Sequence, residues 1–121
     1  MNRALELIDT IRVSFLGCKW HGDLVDDDPT NTVGHVLLDG TYLTSFSGCR
    51  FANSLSNMID SSGGSGLIVN ASIINGAAQA GSIGIHLNGT NYSVIYGNYL
   101  QNTTNIQNSG TGNSIGGNIL A

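Results

Sequence analysis

The sequence predicts an all-β solenoid, a single-stranded parallel β-helix of about five coils, and two repeated phrases carry that prediction. In the first phrase, an apolar residue, a spacer, Gly or Ala, a small polar residue, a second spacer and a large apolar residue follow one another. Its five copies occupy residues 15–20, 46–51, 69–74, 95–100 and 115–120. The small polar positions are 31, 23, 26 and 20 residues apart, and self-similarity at such intervals is typical of repeat architectures.

The second phrase is an apolar–polar pair that ends a short run and precedes each copy of the first phrase. The pairs are Ile8-Asp9, Leu38-Asp39, Ile59-Asp60, Leu87-Asn88 and Ile106-Gln107. Two phrases in constant order, with variable inserts between them, predict coils of constant cross-section that differ in their loops.

The coils are predicted to be β rather than α. Runs such as residues 67–69, 83–87 and 92–96 are short, rich in β-branched or aromatic residues, and bounded by Gly, Asn and Ser. After residue 12 no stretch keeps a 3.6-residue apolar period without a Gly interrupting it. Leucine-rich repeats have a similar length, but their Leu framework is absent. Stacked coils place equivalent residues about 4.8 Å apart, which allows a ladder of Asn, Ser or Cys at the corner after Gly.

The phrase with Gly-Asn between apolar residues, at 95–100 and 115–120, resembles the right-handed parallel β-helix repeat of pectate-lyase-like proteins. That family includes polysaccharide lyases, glycoside hydrolases, bacterial adhesins and bacteriophage tailspikes. The resemblance covers nearly the whole chain, implies a right-handed β-helix, and raises the expectation of a carbohydrate ligand. It rests on residues that make the fold, and no catalytic motif of the family is matched, so no catalytic residue is carried over from it.

The length of 121 residues fits one domain, 1–121. Residues 1–12 are expected to supply a short amphipathic N-terminal cap, because Leu5 and Ile8 lie three positions apart, and residues 20–35 an inserted loop. A β-helix leaves strand edges open at both ends, so we expect a homotrimer or a chain capped by another domain or chain. Because the last phrase ends at Leu120, we also expect the chain to be a piece of a longer protein.

Charge divides the chain into two halves. All twelve charged side chains lie within the first 60 residues, whereas residues 61–121 hold none and contain ten Asn. A disordered low-complexity tail would explain that polarity, but regularly placed Ile, Val, Leu and Tyr favour ordered coils. A neutral, amide-rich surface suits sugars or further copies of the chain, and a net charge of −4 disfavours nucleic acid as a partner. No apolar run is long enough for a signal core or for membrane insertion.

Cys18 and Cys49 fall on the same position of successive coils. Their spacing is within disulfide range, but in-register side chains point the same way and fit the disulfide dihedral poorly. Two stacked thiols are therefore favoured over a disulfide, and no Cys/His spacing of a zinc site is present.

The repeated polar position makes Asp39, Asp60 and Asp9 the candidate catalytic residues. One shared position predicts three carboxylates stacked at steps of about 4.8 Å, and retaining glycosidases use two carboxyl groups about 5 Å apart. Asp39, in the middle, is the first candidate for the acid. Two other roles stay open for these residues, as turn residues that hydrogen-bond their own backbone and as ligands for a cation.

The insert at 20–35 supplies the candidate substrate-binding residues, because an insertion on a solenoid often lies on its binding face. An aromatic ring suits the apolar face of a sugar, and carboxylates suit its hydroxyl groups. These residues are Trp20, His21, Asp23, Asp26 and His35. Alternatively, Trp20 fills the core position that Phe51 occupies in the next coil, and the acidic run is a solvated loop. His21, Asp23 and His35 could also ligate a metal, but nothing fixes their geometry, so no metal or other cofactor is predicted.

These observations predict a segment of a bacteriophage tailspike-type receptor-binding protein, on a virion surface or extracellular, that binds or degrades a bacterial surface polysaccharide. The alternatives are a fragment of a free-standing pectate-lyase-like hydrolase or lyase, and a non-catalytic adhesin or scaffold. A secreted enzyme would carry a signal peptide in the upstream sequence, which separates the first two classes.

Overall fold

The computed structural model describes residues 5–21, 36–52, 57–75, 83–101 and 106–120, which wind into a parallel β-helix of five coils. Each coil contributes three short strands, and no helix occurs among the described residues. Coils 1 to 5 cover residues 5–21, 36–52, 59–75, 85–101 and 106–120. The strands are β1 (Leu5–Ile8), β2 (Ser14–Leu16), β3 (Lys19–His21), β4 (Val36–Asp39), β5 (Ser45–Ser47), β6 (Arg50–Ala52), β7 (Ile59–Ser62), β8 (Ile68–Asn70), β9 (Ile73–Asn75), β10 (Ile85–Asn88), β11 (Val94–Tyr96), β12 (Tyr99–Gln101), β13 (Ile106–Asn108), β14 (Ser114–Gly116) and β15 (Ile119–Leu120).

Equivalent strands of successive coils pair in parallel and build three sheets of five strands each. The first sheet has the order β1-β4-β7-β10-β13, the second β2-β5-β8-β11-β14 and the third β3-β6-β9-β12-β15. Direct register partners in the second sheet are Phe15, Phe46, Val69, Ile95 and Ile115. The first apolar residues of the five phrase copies therefore form one stack along the β-helix. Trp20, Phe51, Ile74, Leu100 and Leu120 form the equivalent stack in the third sheet.

The core fills the centre of the coils, and its first two coils are aromatic. Phe15 stacks on Phe46, and Trp20 stacks on Phe51, each with ring centroids 5.0 Å apart. The two stacks meet edge to face, with the Phe46 and Phe51 centroids 5.4 Å apart. Offset and edge-to-face contacts of this kind each add about 0.5–1.5 kcal/mol beyond the area that they bury. Aromatic packing therefore stabilises the part of the helix where the charged residues lie.

A ladder of small polar side chains runs along the corner between the second and third sheets, as the sequence predicts. The backbone N–H of Cys49 donates to Ser72 Oγ (3.1 Å), the N–H of Ser72 to Asn98 Oδ1 (3.0 Å), and the N–H of Asn98 to Asn118 Oδ1 (2.9 Å). Each side chain thus accepts from the equivalent residue one coil earlier. Cys18 and Cys49 occupy this position as free thiols, which confirms the stacked-thiol prediction.

A second ladder, which the sequence analysis did not predict, follows the corner between the first and second sheets. The N–H of Leu67 donates to Ser93 Oγ (3.3 Å) and the N–H of Ser93 to Asn113 Oδ1 (2.7 Å). The side-chain amide of Asn113 then donates to the carbonyl of Thr90 (2.8 Å). Both corners are therefore closed by side chains that supply hydrogen bonds where the backbone turns away from the sheet ladder.

The segments between the third strand of one coil and the first strand of the next lie largely outside the described residues. They are residues 22–35, which hold most of the insert expected at 20–35, and residues 53–56, 76–82 and 102–105. Within the expected cap at residues 1–12, residues 5–8 form β1 and pair with β4 as part of coil 1. Residues 1–4 lie outside the described residues.

Candidate functional site

Three exposed tyrosines on coil 4 mark the outer wall of the second and third sheets. Tyr92, Tyr96 and Tyr99 have 70%, 60% and 36% of their surface exposed. Tyr96 and Tyr99 alternate with the buried core residues Ile95 and Leu100, so strand geometry directs them outward. Tyr92 precedes β11 with a left-handed backbone conformation (φ 52°). The three rings therefore lie on the outside of coil 4, Tyr92 before β11, Tyr96 at the end of β11 and Tyr99 at the start of β12.

Two of these rings lie against Gly112 and Gly117 of coil 5, which we call the glycine floor. A Cβ atom added at Gly112 would lie 2.6 Å from the Tyr92 ring, and one at Gly117 would lie 2.7 Å from the Tyr96 ring. Any side chain at these positions would have to displace the rings. The two rings therefore lie close against the backbone of coil 5, which limits their motion, and they keep large exposed areas for a ligand.

The surroundings of these rings are uncharged and partly apolar. Val94, between two of the tyrosines, is 42% exposed, and Ile68 pairs with it one coil earlier and is 40% exposed. In the third sheet, Ile73 and Ile119 flank Tyr99 in register and are 44% and 62% exposed. Residues 61–121 hold no Asp, Glu, Lys or Arg. Exposed apolar side chains therefore lie beside the rings, together with exposed polar residues such as Asn70, the register partner of Tyr96.

A second cluster lies on the outer face of the first sheet. Asp60 and His86 are direct register partners in β7 and β10, and His86 Nδ1 lies 3.1 Å from Asp60 Oδ1. The other carboxylate oxygen, Oδ2, accepts from Asn57 Nδ2 at 3.3 Å. The Asp60 side chain is 13% exposed and that of His86 27% exposed. Both carboxylate oxygens are therefore engaged, and the imidazole ring is held from one side.

Gln107 extends this cluster by one coil. It is the register partner of His86 in β13, and it is exposed. Asp60, His86 and Gln107 therefore follow one another on a single outward column with steps of about 4.8 Å.

The predicted stack of three carboxylates is wrong. The register places Asp39 beside Ile8 and Ser62, and the backbone N–H of Asp9 bonds to the carbonyl of Asp39, so Asp9 lies one position further along its coil. Asp60 lies two positions earlier than Asp39, beside Leu37. No two of the three carboxylates therefore share a position on successive coils. The stacking on which their assignment as candidate acids rested is absent.

Trp20 lies in the core. Its ring is partly buried and packs on Phe15, Phe46 and Phe51, which agrees with the alternative that it fills a core position. The backbone of His21 ends β3 and pairs with Ala52. The remaining predicted binding residues, Asp23, Asp26 and His35, lie outside the described residues.

The repeated phrases did not predict that Asp60, His86 and Gln107 form one column, because a core position in coil 3 is polar. Ser61 is wholly buried and its hydroxyl bonds to Thr90 Oγ1 at 2.8 Å, so Ile59-Asp60-Ser61 hides the apolar alternation that is plain in Ile85-His86-Leu87. Aligning the two isoleucines, rather than the apolar–polar pairs, would have paired Asp60 with His86.

Among the described residues, no three His, Cys, Asp or Glu side chains come together in a way that could hold a metal ion. In the same residues, no helix has the length and hydropathy that a membrane crossing requires. The chain matches no family model, no curated protein and no solved structure. Kinship with pectate-lyase-like proteins therefore stays a resemblance of the repeat.

Proposed function

We propose that this chain is a segment of a tailspike-type receptor-binding β-helix whose outer wall binds a bacterial surface polysaccharide. The observation that carries the proposal is the set of exposed rings of Tyr92, Tyr96 and Tyr99 on the uncharged wall of coil 4. Sugars present apolar ring faces bordered by hydroxyl groups. Tyrosine offers an apolar body with a polar tip, which matches both parts.

The packing of the rings also supports binding. The glycine floor already restrains Tyr92 and Tyr96, so a ligand need not supply the free energy of ordering a mobile side chain, which costs about 0.5–1.5 kcal/mol for each one immobilised. The absence of charged residues from 61–121 favours a ligand recognised by shape, stacking and hydrogen bonds. A polyanionic ligand such as nucleic acid would need basic side chains on this wall.

Titration calorimetry against a panel of purified bacterial surface polysaccharides tests this proposal. For a polysaccharide that binds, Tyr96→Ala and Tyr92→Ala should each weaken binding on the order of tenfold, the effect of losing about 1.4 kcal/mol of contact. Tyr42→Ala is the matched control, because Tyr42 is 50% exposed but lies on coil 2. Equal affinity of all three variants and the unmodified protein, or no binding to any polysaccharide, would contradict the proposal.

The exposure of the end coils supports a homotrimer or a chain capped by another domain or chain. In coil 5, Ile115 and Leu120 belong to the two core stacks but are 39% and 57% exposed, whereas Ile95 and Leu100 in coil 4 are almost wholly buried. Sedimentation tests the assembly. A stable monomer of 12.6 kDa at high concentration would contradict it. A virion-surface or extracellular location is part of the same proposal.

A further inference from the structure

We propose that the column Asp60–His86–Gln107 is an acyl-ester hydrolysis site in which His86 is the general base. The three residues are consecutive register partners on the outer face of the first sheet. Their neighbours in the strands, Ile59, Ile85 and Leu87, are wholly buried, so strand alternation directs the column away from the core. The site is separate from the tyrosine wall, which lies on the other two sheets.

Asp60 is a positioning residue. A carboxylate can only accept, so the 3.1 Å contact places the proton of the neutral imidazole on Nδ1 and leaves a lone pair on Nε2. The bond from Asn57 to the other carboxylate oxygen fixes the orientation of Asp60 in turn. Nε2 has no hydrogen-bond partner among the described residues. An imidazole with Nδ1 on a fixed carboxylate, and with no partner on Nε2 in the described part of the chain, has the arrangement of a general base.

The hydrogen bonds of the Asp60 carboxylate favour ester hydrolysis over glycoside cleavage. Glycoside cleavage requires two carboxyl groups that are free to act as acid and as base or nucleophile, and both oxygens of Asp60 are occupied by His86 and Asn57. Ester hydrolysis needs only one imidazole, because the same ring takes a proton and returns it. Gln107 supplies the remaining requirement, since its exposed amide can donate to the carbonyl oxygen on which charge develops.

The step balances without a cofactor. Nε2 of His86 takes a proton from water while the water oxygen bonds to the ester carbonyl carbon, and the carbonyl electron pair moves to the oxygen facing Gln107. Collapse of this tetrahedral intermediate restores the carbonyl and breaks its bond to the alcohol oxygen. That oxygen takes the proton from the imidazolium. The products are a carboxylic acid and a free hydroxyl. The substrate class is an acyl ester on a carbohydrate hydroxyl, and this choice of carbohydrate rests on the proposed function.

Hydrolysis of p-nitrophenyl acetate by the purified full chain tests the site independently of polysaccharide binding. His86→Gln should lower the second-order rate constant at least about 100-fold, the usual contribution of a positioned base. Gln107→Ala should lower it on the order of 100-fold, as for an oxyanion donor, and its exposed position leaves folding intact. Asn88→Ala, an exposed change on the same strand as His86, should leave the rate unchanged.

Asp60→Asn distinguishes an oriented base from a merely exposed imidazole. It retains His86, so adventitious reactivity would persist, whereas an oriented base loses at least about tenfold in rate. Nitrogen NMR of His86 should report the Nδ1–H tautomer in the unmodified protein and a loss of that preference in Asp60→Asn. No hydrolysis above buffer by the unmodified protein, an unchanged rate in His86→Gln, or the Nε2–H tautomer would each overturn the site. Ester hydrolysis without polysaccharide binding would overturn the proposed function and leave this site standing.

Discussion

The side-chain amide nitrogen of Asn98 lies 2.8 Å from the carbonyl oxygen of Val69, one coil earlier. The oxygen of the same amide accepts the backbone N–H of Ser72 at 3.0 Å, and only 2% of Asn98 is exposed. One side chain therefore accepts a backbone N–H at the corner and donates to a backbone carbonyl of strand β8. Asn118 repeats the contact with the carbonyl of Ile95 at 3.0 Å.

Replacement of Asn98 by Ala should lower the free energy of unfolding by about 1–3 kcal/mol, because it leaves the backbone N–H of Ser72, a buried residue, without its acceptor. Urea denaturation measures the loss. The matched control is Asn88→Ala, an exposed Asn on the same coil, which should change stability by less than about 0.5 kcal/mol. Equal effects of the two substitutions would show that the ladder contributes nothing beyond a surface amide.

Gly64 and Gly89 separate two reasons for glycine at the corner between the first and second sheets. Both have left-handed backbone angles, φ +69° and +70°. A Cβ at Gly64 would overlap the carbonyl oxygen of Thr41, whereas one at Gly89 would meet nothing within 4 Å. Gly89→Ala should therefore cost only the conformational strain, about 1–2 kcal/mol.

Gly64→Ala should cost at least about 3 kcal/mol, because a clash with backbone adds to that strain. Thermal and urea unfolding of the two variants, compared with the unmodified protein, check the difference. If Gly64→Ala proves no worse than Gly89→Ala, the coils at this corner are less closely stacked than the structure has them.

The coils and their corners could be predicted from the sequence, but the arrangement of side chains on the outer faces could not. Positions such as Ile95 and Asn98 are dictated by the core and by the ladder, so every coil repeats them and the repeat can be read. A position such as that of Asp60 faces outward, where no packing requirement constrains it. Its register had to come from the inward neighbours Ile59 and Ser61, and the buried Ser61 removed the apolar signal that would have fixed it.

The exposed tyrosines of coil 4 likewise could not be predicted from the repeated phrases. Tyr96 and Tyr99 occupy the two spacer positions of the copy at residues 95–100, which are variable from coil to coil. The packing of Tyr92 and Tyr96 depends on Gly112 and Gly117, respectively, one coil later. This relationship joins residues about 20 positions apart and appears only once the register is known.

Ile95→Asp tests the alternation of inward and outward positions. Ile95 is wholly buried within the apolar stack, whereas its neighbour Val94 is 42% exposed. An unpaired carboxylate in the core should cost several kcal/mol, and Val94→Asp less than about 1 kcal/mol. Circular dichroism during urea denaturation measures both variants. A small loss for Ile95→Asp, or a larger loss for Val94→Asp, would reverse the assignment of faces.

Thr44 occupies the ladder position at the first corner but does not take part in the ladder. It is 1% exposed, and its hydroxyl has no hydrogen-bond partner among the described residues. The equivalent residues one coil before and after are Val13 and Leu67, because they precede the register partners Ser14, Ser45 and Ile68. Thr44→Val removes the unpaired hydroxyl and keeps the branched shape, so it should raise the free energy of unfolding by about 1 kcal/mol.

Ser93 lies at the same position one coil beyond Leu67. Its substitution should change the free energy of unfolding in the opposite direction. Its hydroxyl accepts the N–H of Leu67 at 3.3 Å and donates to the carbonyl of Asn91 at 3.4 Å. Ser93→Ala should therefore lower the free energy of unfolding by about 1–3 kcal/mol, because a buried N–H loses its acceptor. Parallel urea titrations of the two variants measure both signs. Destabilisation by Thr44→Val would mean that its hydroxyl is paired in solution, since removal of an unpaired buried hydroxyl leaves no partner behind.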